Sequence, residues 1–127
     1  MKSEKFEKGL KKLMEVCGKS GEDVIASLEK ISPGLAQYTV EYPYGDVYAR
    51  QELDLRSKEI ATIAVLTALG FAIPQLKVHV NGGLNVGLTE TEIKEIIILM
   101  SVYAGFPAAL NAMYAAQEVF DKRKSQK

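Results

Sequence analysis

Apolar residues recur at steps of three and four along most of this 127-residue chain, and no segment alternates apolar and polar residues with period two. The first instance is Phe6, Leu10, Leu13 and Met14, which share one face of a helix. The pattern predicts an all-α fold without a sheet. At this length we expect a single domain over residues 1–127 with one core.

Glycine, proline and capping residues divide the pattern into seven predicted helices. These run over residues 3–16, 20–31, 33 to about 43, 54–69, 74–87, 89–103 and 107–122. Gly18 marks one helix end, Ser32 followed by Pro33 marks a start, and Thr89 with Glu92 forms a capping box. From residue 60 the fourth helix is apolar nearly all round, which predicts that it is buried.

The charge balance and the apolar runs limit the partners of the chain. Sixteen basic and sixteen acidic residues cancel, and the aromatic residues do not interleave with a basic stripe, so no nucleic-acid partner is expected. The longest apolar stretches, 60–72 and 96–100, are shorter than the ~20 residues that span a bilayer. The N-terminus also lacks the apolar region of a signal peptide. We therefore expect a cytoplasmic protein without a membrane partner.

The set of reactive residues is small. Cys17 is the one cysteine and His79 the one histidine, so the chain has neither a C-x-x-C pair nor the common zinc-binding sets. Cys17 is expected to be a small packing residue. No phosphate loop or dinucleotide fingerprint is present. The sequence therefore predicts no metal and no cofactor.

His79 lies near the middle of the fifth predicted helix, with Gly82 and Gly83 one turn further on. Glycine inside a helix costs about 1 kcal/mol relative to alanine, so the pair predicts a packing or functional reason, and we expect open space beside the imidazole. From the residues alone, a hydrogen-bonded core histidine is favoured over a catalyst.

Glu59 is the second candidate, because it lies where the polar start of the fourth helix becomes an apolar stripe. A carboxylate in that position suits general acid–base chemistry. The alternative is a solvated glutamate of the first turn, favoured by the helix dipole. The residues alone favour this alternative.

Several segments in register resemble the carboxymuconolactone decarboxylase family. They are YGDVYAR at 44–50, LDLRSKE at 53–59, QLKVHV at 75–80, GGLNVGL at 82–88, TETEI at 89–93 and YAGFPAALNA at 103–112. The resemblance covers about residues 35–115. It implies an all-α fold related to the alkylhydroperoxidase D proteins and a homo-oligomer, a trimer or a hexamer.

The resemblance also bears on individual residues. In the redox relatives a C-x-x-C pair occupies the positions of Ala72 and Gln75, so the resemblance implies the branch without disulfide chemistry. Glu59 and His79 match family positions, which moves both toward a functional role. Gln75 departs from the glutamate of the decarboxylases and leaves open whether the activity is the same.

The implied activity is cofactor-free decarboxylation of 4-carboxymuconolactone, a small carboxylate substrate, in aromatic-acid degradation. His79 is predicted as general acid and Glu59 as the residue that orients it, the two meeting in a partly apolar pocket. The candidates for binding the substrate are Arg50, Arg56, Tyr44, Tyr48, Tyr103, Asp46 and Gln75. Surface, ion-pair or packing roles remain the alternatives for the arginines and tyrosines, as does a turn cap for Asp46. The rival functions are an enzyme acting on a different small acid or peroxide, and a non-enzymatic oligomeric binding protein.

Overall fold

The computed structural model describes residues 2–126 and is helical throughout, with no strand in that range. Its elements are α1 (Glu4–Ile31), α2 (Pro33–Val40), a π-helix (Glu41–Tyr48), α3 (Leu55–Leu69), α4 (Ile73–Asn85), α5 (Glu90–Ala104) and α6 (Phe106–Ser125). The prediction of an all-α fold is confirmed.

The ends of the helices follow local signals in the sequence. Gly18 adopts φ 59° and ψ −142°, which breaks α1 at the predicted place, although the chain resumes helical geometry at once. Ser32 caps α2 by accepting a hydrogen bond from the Leu35 backbone N–H, with Pro33 in the first turn. The capping box of α5 is present in full.

The third predicted helix differs from the structure near Pro43. Its α-helical part ends at Val40, and the chain then continues in the wider turns of the π-helix, which contains Pro43. Pro43 lacks the N–H that a regular α-helical hydrogen bond needs, so α-helical bonding cannot continue through it. The sequence predicts the interruption but not the π-helix.

Contacts between Cα atoms group the chain into two compact units, Met1–Leu55 and Arg56–Lys127. The prediction of one domain over the whole chain stays a prediction.

In the first unit, α1 packs against α2 and the π-helix. The approach is closest at Gly9, where an added Cβ would overlap the Val40 carbonyl and lie 3.1 Å from the Gly45 nitrogen. The buried apolar residues are Phe6, Leu13, Val16, Cys17, Ile25, Ala36, Val40 and Tyr44. Cys17 is thus a packing residue, as the sequence predicts.

In the second unit, α6 packs against α4 and α5. Four alanines on α6 are buried, and their small side chains allow close approach of the neighbouring helices. Ile63 from α3 joins this core. The larger side chains of the core are Leu76, Val80, Leu88, Ile93, Ile97 and Phe120.

The prediction that α3 is buried all round is wrong. Only Glu59, Ile63 and Thr67 are buried, at steps of four residues, whereas Val65 is 51% and Leu69 48% exposed. Ile60 and Leu66 are partly buried beside this stripe, so α3 is covered on one side and exposes Val65 and Leu69 on another.

No helix within residues 2–126 has both the length and the apolar character needed to cross a bilayer. The cytoplasmic location stays a prediction.

Candidate functional site

Glu59 begins the buried stripe of α3 and is 0% exposed. The stripe continues through Ile63 and Thr67, because residues four apart share one face of a helix. Thr67 donates its hydroxyl hydrogen bond to the Ile63 carbonyl at 2.8 Å, so its polar group is satisfied within α3. Glu59 therefore supplies the carboxylate of this buried stripe.

His79 lies on α4 next to the buried residues of that helix. Leu76 and Val80 are fully buried there, and Gly83 follows one turn after His79. The imidazole side chain is 14% exposed, so one edge of the ring reaches the surface of the chain. The ring is thus shielded from most solvent without being sealed from it.

The two candidates meet. His79 Nδ1 lies 2.9 Å from Glu59 Oε2 and 3.2 Å from Oε1. The predicted contact between α3 and α4 is confirmed, and the sequence separation of twenty residues is bridged at hydrogen-bond distance. Among residues 2–126, no buried side-chain nitrogen or oxygen lacks a hydrogen-bond partner.

The pair defines the chemistry of the imidazole. When Glu59 is ionised, its carboxylate only accepts hydrogen bonds, so Nδ1 is then the donor in this contact. This arrangement orients the ring, as the aspartate of a hydrolase triad orients its histidine. Nε2, on the other side of the ring, is then the nitrogen that can give or take a proton.

The expectation of open space at Gly83 is wrong. An added Cβ would lie 2.9 Å from Leu88 Cδ1 and 3.0 Å from Ile63 Cδ1, and both of those side chains are buried. A Cβ at Gly83 would require the ends of the Leu88 and Ile63 side chains to shift, so Gly83 allows close packing of α4. Helical periodicity assigns Gly83 to the correct face but does not give the distance to the neighbouring side chains.

Arg56 lies one turn before Glu59 on α3 and pairs with Glu92 of α5. Glu92 Oε1 also accepts the Thr89 backbone N–H at 3.0 Å. This backbone hydrogen bond, together with the Arg56 guanidinium, holds the pKa of Glu92 below its usual range. The sequence identifies Glu92 as a capping residue but gives no sign that it also binds Arg56.

Two further candidates lie in the same unit. Gln75 is exposed on α4 one turn before His79. Tyr103 is 80% exposed at the end of α5. Their roles in substrate binding stay predictions.

The remaining candidates lie in the first unit. Tyr44 is buried, its ring stacks on Tyr48 at 4.9 Å between centroids, and its hydroxyl lies 3.4 Å from Cys17 Sγ. Tyr44 is therefore part of the core of that unit, which is the packing alternative for this residue.

The charged candidates of the first unit both lie beside opposite charges. Asp46 pairs with Lys5 at 3.1 Å, and Arg50 lies 3.7 Å from Glu52. Roles for Tyr44, Tyr48, Asp46 and Arg50 in binding substrate stay predictions.

No group of three or more histidine, cysteine, aspartate or glutamate residues within 2–126 is placed to hold a metal ion.

Comparison with known proteins decides the family. The model of the carboxymuconolactone decarboxylase family matches residues 33–118, about two thirds of the chain. The chain belongs to the carboxymuconolactone decarboxylase family. The matched range includes both members of the Glu59–His79 pair.

Three curated relatives span most of the chain. A 4-carboxymuconolactone decarboxylase from Acinetobacter baylyi is 34% identical over 118 residues, which cover 92% of this chain and 87% of that protein. A nitrosuccinic acid decarboxylase from Metarhizium robertsii is 29% identical over 119 residues, covering 91% and 81%. An uncharacterised 15.0 kDa protein from Paracoccus denitrificans is 35% identical over 95 residues, covering 74% and 71%. Two of these relatives carry the names of decarboxylases that act on different acids.

Proposed function

We propose that this member of the family is a carboxy-lyase that decarboxylates 4-carboxymuconolactone, with His79 as general acid and Glu59 as the residue that orients it. The observation that carries the proposal is the buried carboxylate of Glu59 in contact with Nδ1 of an imidazole that is still 14% exposed. The relative named for this reaction, at 34% identity over 92% of the chain, supports the choice of substrate.

The chemistry follows from the substrate. The bond between the ring carbon and the departing carboxylate breaks, and its electron pair moves into the ring to form a new double bond. The former double bond then supplies electrons to the lactone carbonyl, which gives an extended enolate. The imidazolium N–H of His79 protonates the far carbon of the original double bond, and the unsaturated lactone product forms. Atoms and charge balance without an oxidant or reductant.

Glu59 acts on this step through His79. Its contact with Nδ1 holds the imidazole in one orientation and directs Nε2 toward the reacting carbon. The partly buried position of the ring also reduces the water around the developing enolate, which strengthens electrostatic stabilisation.

Arg56 and Arg50 are the proposed partners of the substrate carboxylates. Arg56 lies on α3 one turn before Glu59 and is already bound to Glu92. A guanidinium has five N–H donors, so Arg56 can hold Glu92 and still donate to a substrate. Gln75 and Tyr103, which lie in the same unit as His79, complete the proposed binding set. Roles for Tyr48 and Asp46 stay predictions.

A second candidate is decarboxylation of a different small acid. One observation favours it, since one relative is named for nitrosuccinic acid. The family resemblance adds that Gln75 takes the position of a glutamate in the decarboxylases. In both acids an electron-withdrawing group can accept the charge left by carbon dioxide, so the same proton donor serves either substrate.

The test is a direct assay of lactone loss with the purified full-length chain. Wild type should turn the lactone over, and His79→Gln should lower kcat/KM about a hundredfold or more, because it removes the proton donor while retaining much of the side-chain volume. Glu59→Gln should lower it by a smaller factor. Glu95→Gln is the matched control, since Glu95 is an exposed acid on α5, and it should leave the rate unchanged.

Three results contradict parts of the proposal. An unchanged rate in His79→Gln means that another group delivers the proton. Turnover of nitrosuccinic acid but not of the lactone favours the second candidate. A wild-type chain that is folded but inactive on both acids favours the non-enzymatic binding protein.

A further inference from the structure

A hollow of about 210 Å³ lies where the end of α4, the start of α5 and the end of α6 come together. Its lining residues are Leu84, Glu90, Phe120, Arg123 and Lys124. Neither Glu59 nor His79 is among them, and none of the lining residues belongs to the proposed substrate-binding set. This volume is below the ~300–1,000 Å³ of typical small-molecule pockets, so it restricts any ligand to a small one.

Arg123 is held in the hollow by neutral groups. Its Nη1 donates to Asn81 Oδ1 at 2.5 Å and to Asn85 Oδ1 at 3.1 Å. These two asparagines are four residues apart on α4 and therefore share one face of it. The amide oxygens orient the guanidinium but do not neutralise its charge. Within residues 2–126 no carboxylate forms an ion pair with Arg123, so Nε and Nη2 can donate to a ligand.

The other lining residues restrict the kind of ligand. Lys124 adds a second positive charge, and Glu90 lies 3.7 Å from its Nζ, beyond hydrogen-bond distance. The lining residues carry two positive charges and one negative charge, and Lys94 adds a further positive charge beside Phe120, so the hollow favours an anion. Leu84 and the ring of Phe120 supply apolar surface, and Lys94 Nζ lies 5.8 Å from the centroid of that ring.

We propose that this hollow is a second binding site, for a small monocarboxylate with an apolar body. The guanidinium of Arg123 binds the carboxylate through two parallel hydrogen bonds, a geometry that arginine supplies and lysine does not. The apolar body lies against Leu84 and Phe120. Glu90 repels a dianion such as phosphate, which favours a singly charged ligand.

Benzoate is the probe, since it joins one carboxylate to a rigid apolar ring. The full-length chain, labelled with nitrogen-15, is titrated with benzoate while the Nε–H signals of the arginines are followed by NMR. We expect a saturable shift of the Arg123 signal with a Kd of about 1 mM or below. Benzamide, which has the same shape without the charge, should bind at least about tenfold more weakly, and so should inorganic phosphate.

The variants locate the site. Arg123→Gln should weaken benzoate binding at least about tenfold, measured by calorimetry, and Arg123→Lys should weaken it by an intermediate factor because the charge remains without the paired donors. Lys8→Gln removes one charge from an exposed position on α1 and should leave binding unchanged. If Arg123→Gln does not fold, Arg123→Lys and the comparison of probes still decide the question.

Several outcomes would overturn the proposal. One is the absence of a saturable shift of Arg123 with benzoate. Others are equal binding of benzamide or phosphate, and full binding by both Arg123 variants. The readout is binding, so it does not depend on whether the chain decarboxylates the lactone.

Discussion

Glu59 is fully buried, and both of its carboxylate oxygens lie within 3.2 Å of a single imidazole nitrogen. Removing one partner from a buried pair leaves the other without compensation, which typically costs about 3–5 kcal/mol. Replacing both partners by apolar residues is often close to neutral. The pair should therefore stabilise the fold only as long as both members are present.

We expect His79→Leu to lower the free energy of unfolding by about 3–5 kcal/mol, because it leaves the buried Glu59 without its partner. The double variant His79→Leu with Glu59→Leu should recover at least half of that loss. Urea unfolding of the wild type, both single variants and the double variant measures the coupling. Purely additive effects would show that the contact contributes nothing to stability.

At this scale the sequence predicts the pair because Glu59 and His79 are the candidates that match family positions and lie beside apolar stripes. It does not predict the packing at Gly83 or the partner of Arg56. Both depend on the distance between side chains on different helices, and the spacing of residues along one helix carries no information about that distance.

The helices of the first unit pack closely at a few positions. The closest contact described above is between α1 and α2, at Gly9. Gly9→Ala adds a Cβ that overlaps the Val40 carbonyl, a backbone atom that cannot move independently. We expect a loss of about 1–3 kcal/mol or more in the free energy of unfolding, because overpacking forces the helices apart.

Gly34→Ala is the matched control, because Gly34 lies in α2 and a Cβ there meets nothing within 4 Å. Alanine favours a helix over glycine by up to about 1 kcal/mol, so this variant should be neutral or slightly more stable. Thermal and urea unfolding compare the two. A Gly9→Ala protein as stable as the wild type would contradict the close approach.

Glu92 on α5 pairs with Arg56 on α3, so the ionisation of Glu92 should make the stability of the fold depend on pH. The Thr89 backbone N–H and the Arg56 guanidinium hold the pKa of Glu92 below its ordinary value of 4.5, so the ionised form favours the folded state. Its contribution to stability is complete above that ordinary value and is lost as the pH falls through the lower folded pKa.

We expect Glu92→Gln to be less stable than the wild type near neutral pH, with a difference that shrinks as the solution becomes acidic. Urea midpoints measured between about pH 7 and pH 3 test this. Glu95→Gln, an exposed change on the same helix, should not show the same convergence. A difference that grows toward acid pH would have the wrong sign.

Most element boundaries are predictable because their signals are local. Ser32, Thr89 with Glu92, and Gly18 act within one turn of the residues they terminate or cap. The π-helix at 41–48 has no such signal, since its wider turns do not follow from any single residue type at a helix end.

Many large apolar side chains of this chain lie exposed on its surface rather than buried in its core. On α6, Phe106 is 70%, Leu110 53% and Tyr114 71% exposed, and these residues lie four apart on one stripe. On α5, Val102 is 73% exposed. Exposed apolar surface of this extent is typical of an interface, which supports the proposal of a homo-oligomer, a trimer or a hexamer.

Light scattering at micromolar concentration should return the mass of a trimer or a hexamer. Leu110→Glu places a charge on the α6 stripe and should shift the mass toward the monomer. Val24→Glu is the control, because Val24 is 40% exposed and belongs to α1 rather than to the α6 stripe, and it should leave the mass unchanged. A monomer mass for the wild type would refute the assembly.

At the scale of the whole molecule, sequence patterns do not predict which surface covers an apolar helix. An apolar surround predicts that a helix is covered, but not whether its own chain or a second copy covers it. For α3 the apolar surround of residues 60–69 predicts burial and an oligomer. Within one chain Glu59, Ile63 and Thr67 are buried, and Ile60 and Leu66 pack partly against the core.

The break at Gly18 changes how α1 must form during folding. A helix of 28 residues would be long enough to hold much of its structure alone, but a residue with positive φ in the middle interrupts the cooperative ladder of backbone hydrogen bonds. Each half is then about as short as isolated helices that are only marginally stable in water. Each half must also form its own first helical turn, which is the unfavourable step. The packing of Gly9 against α2 then stabilises the N-terminal half, so the longest helix of the chain also depends on its neighbours.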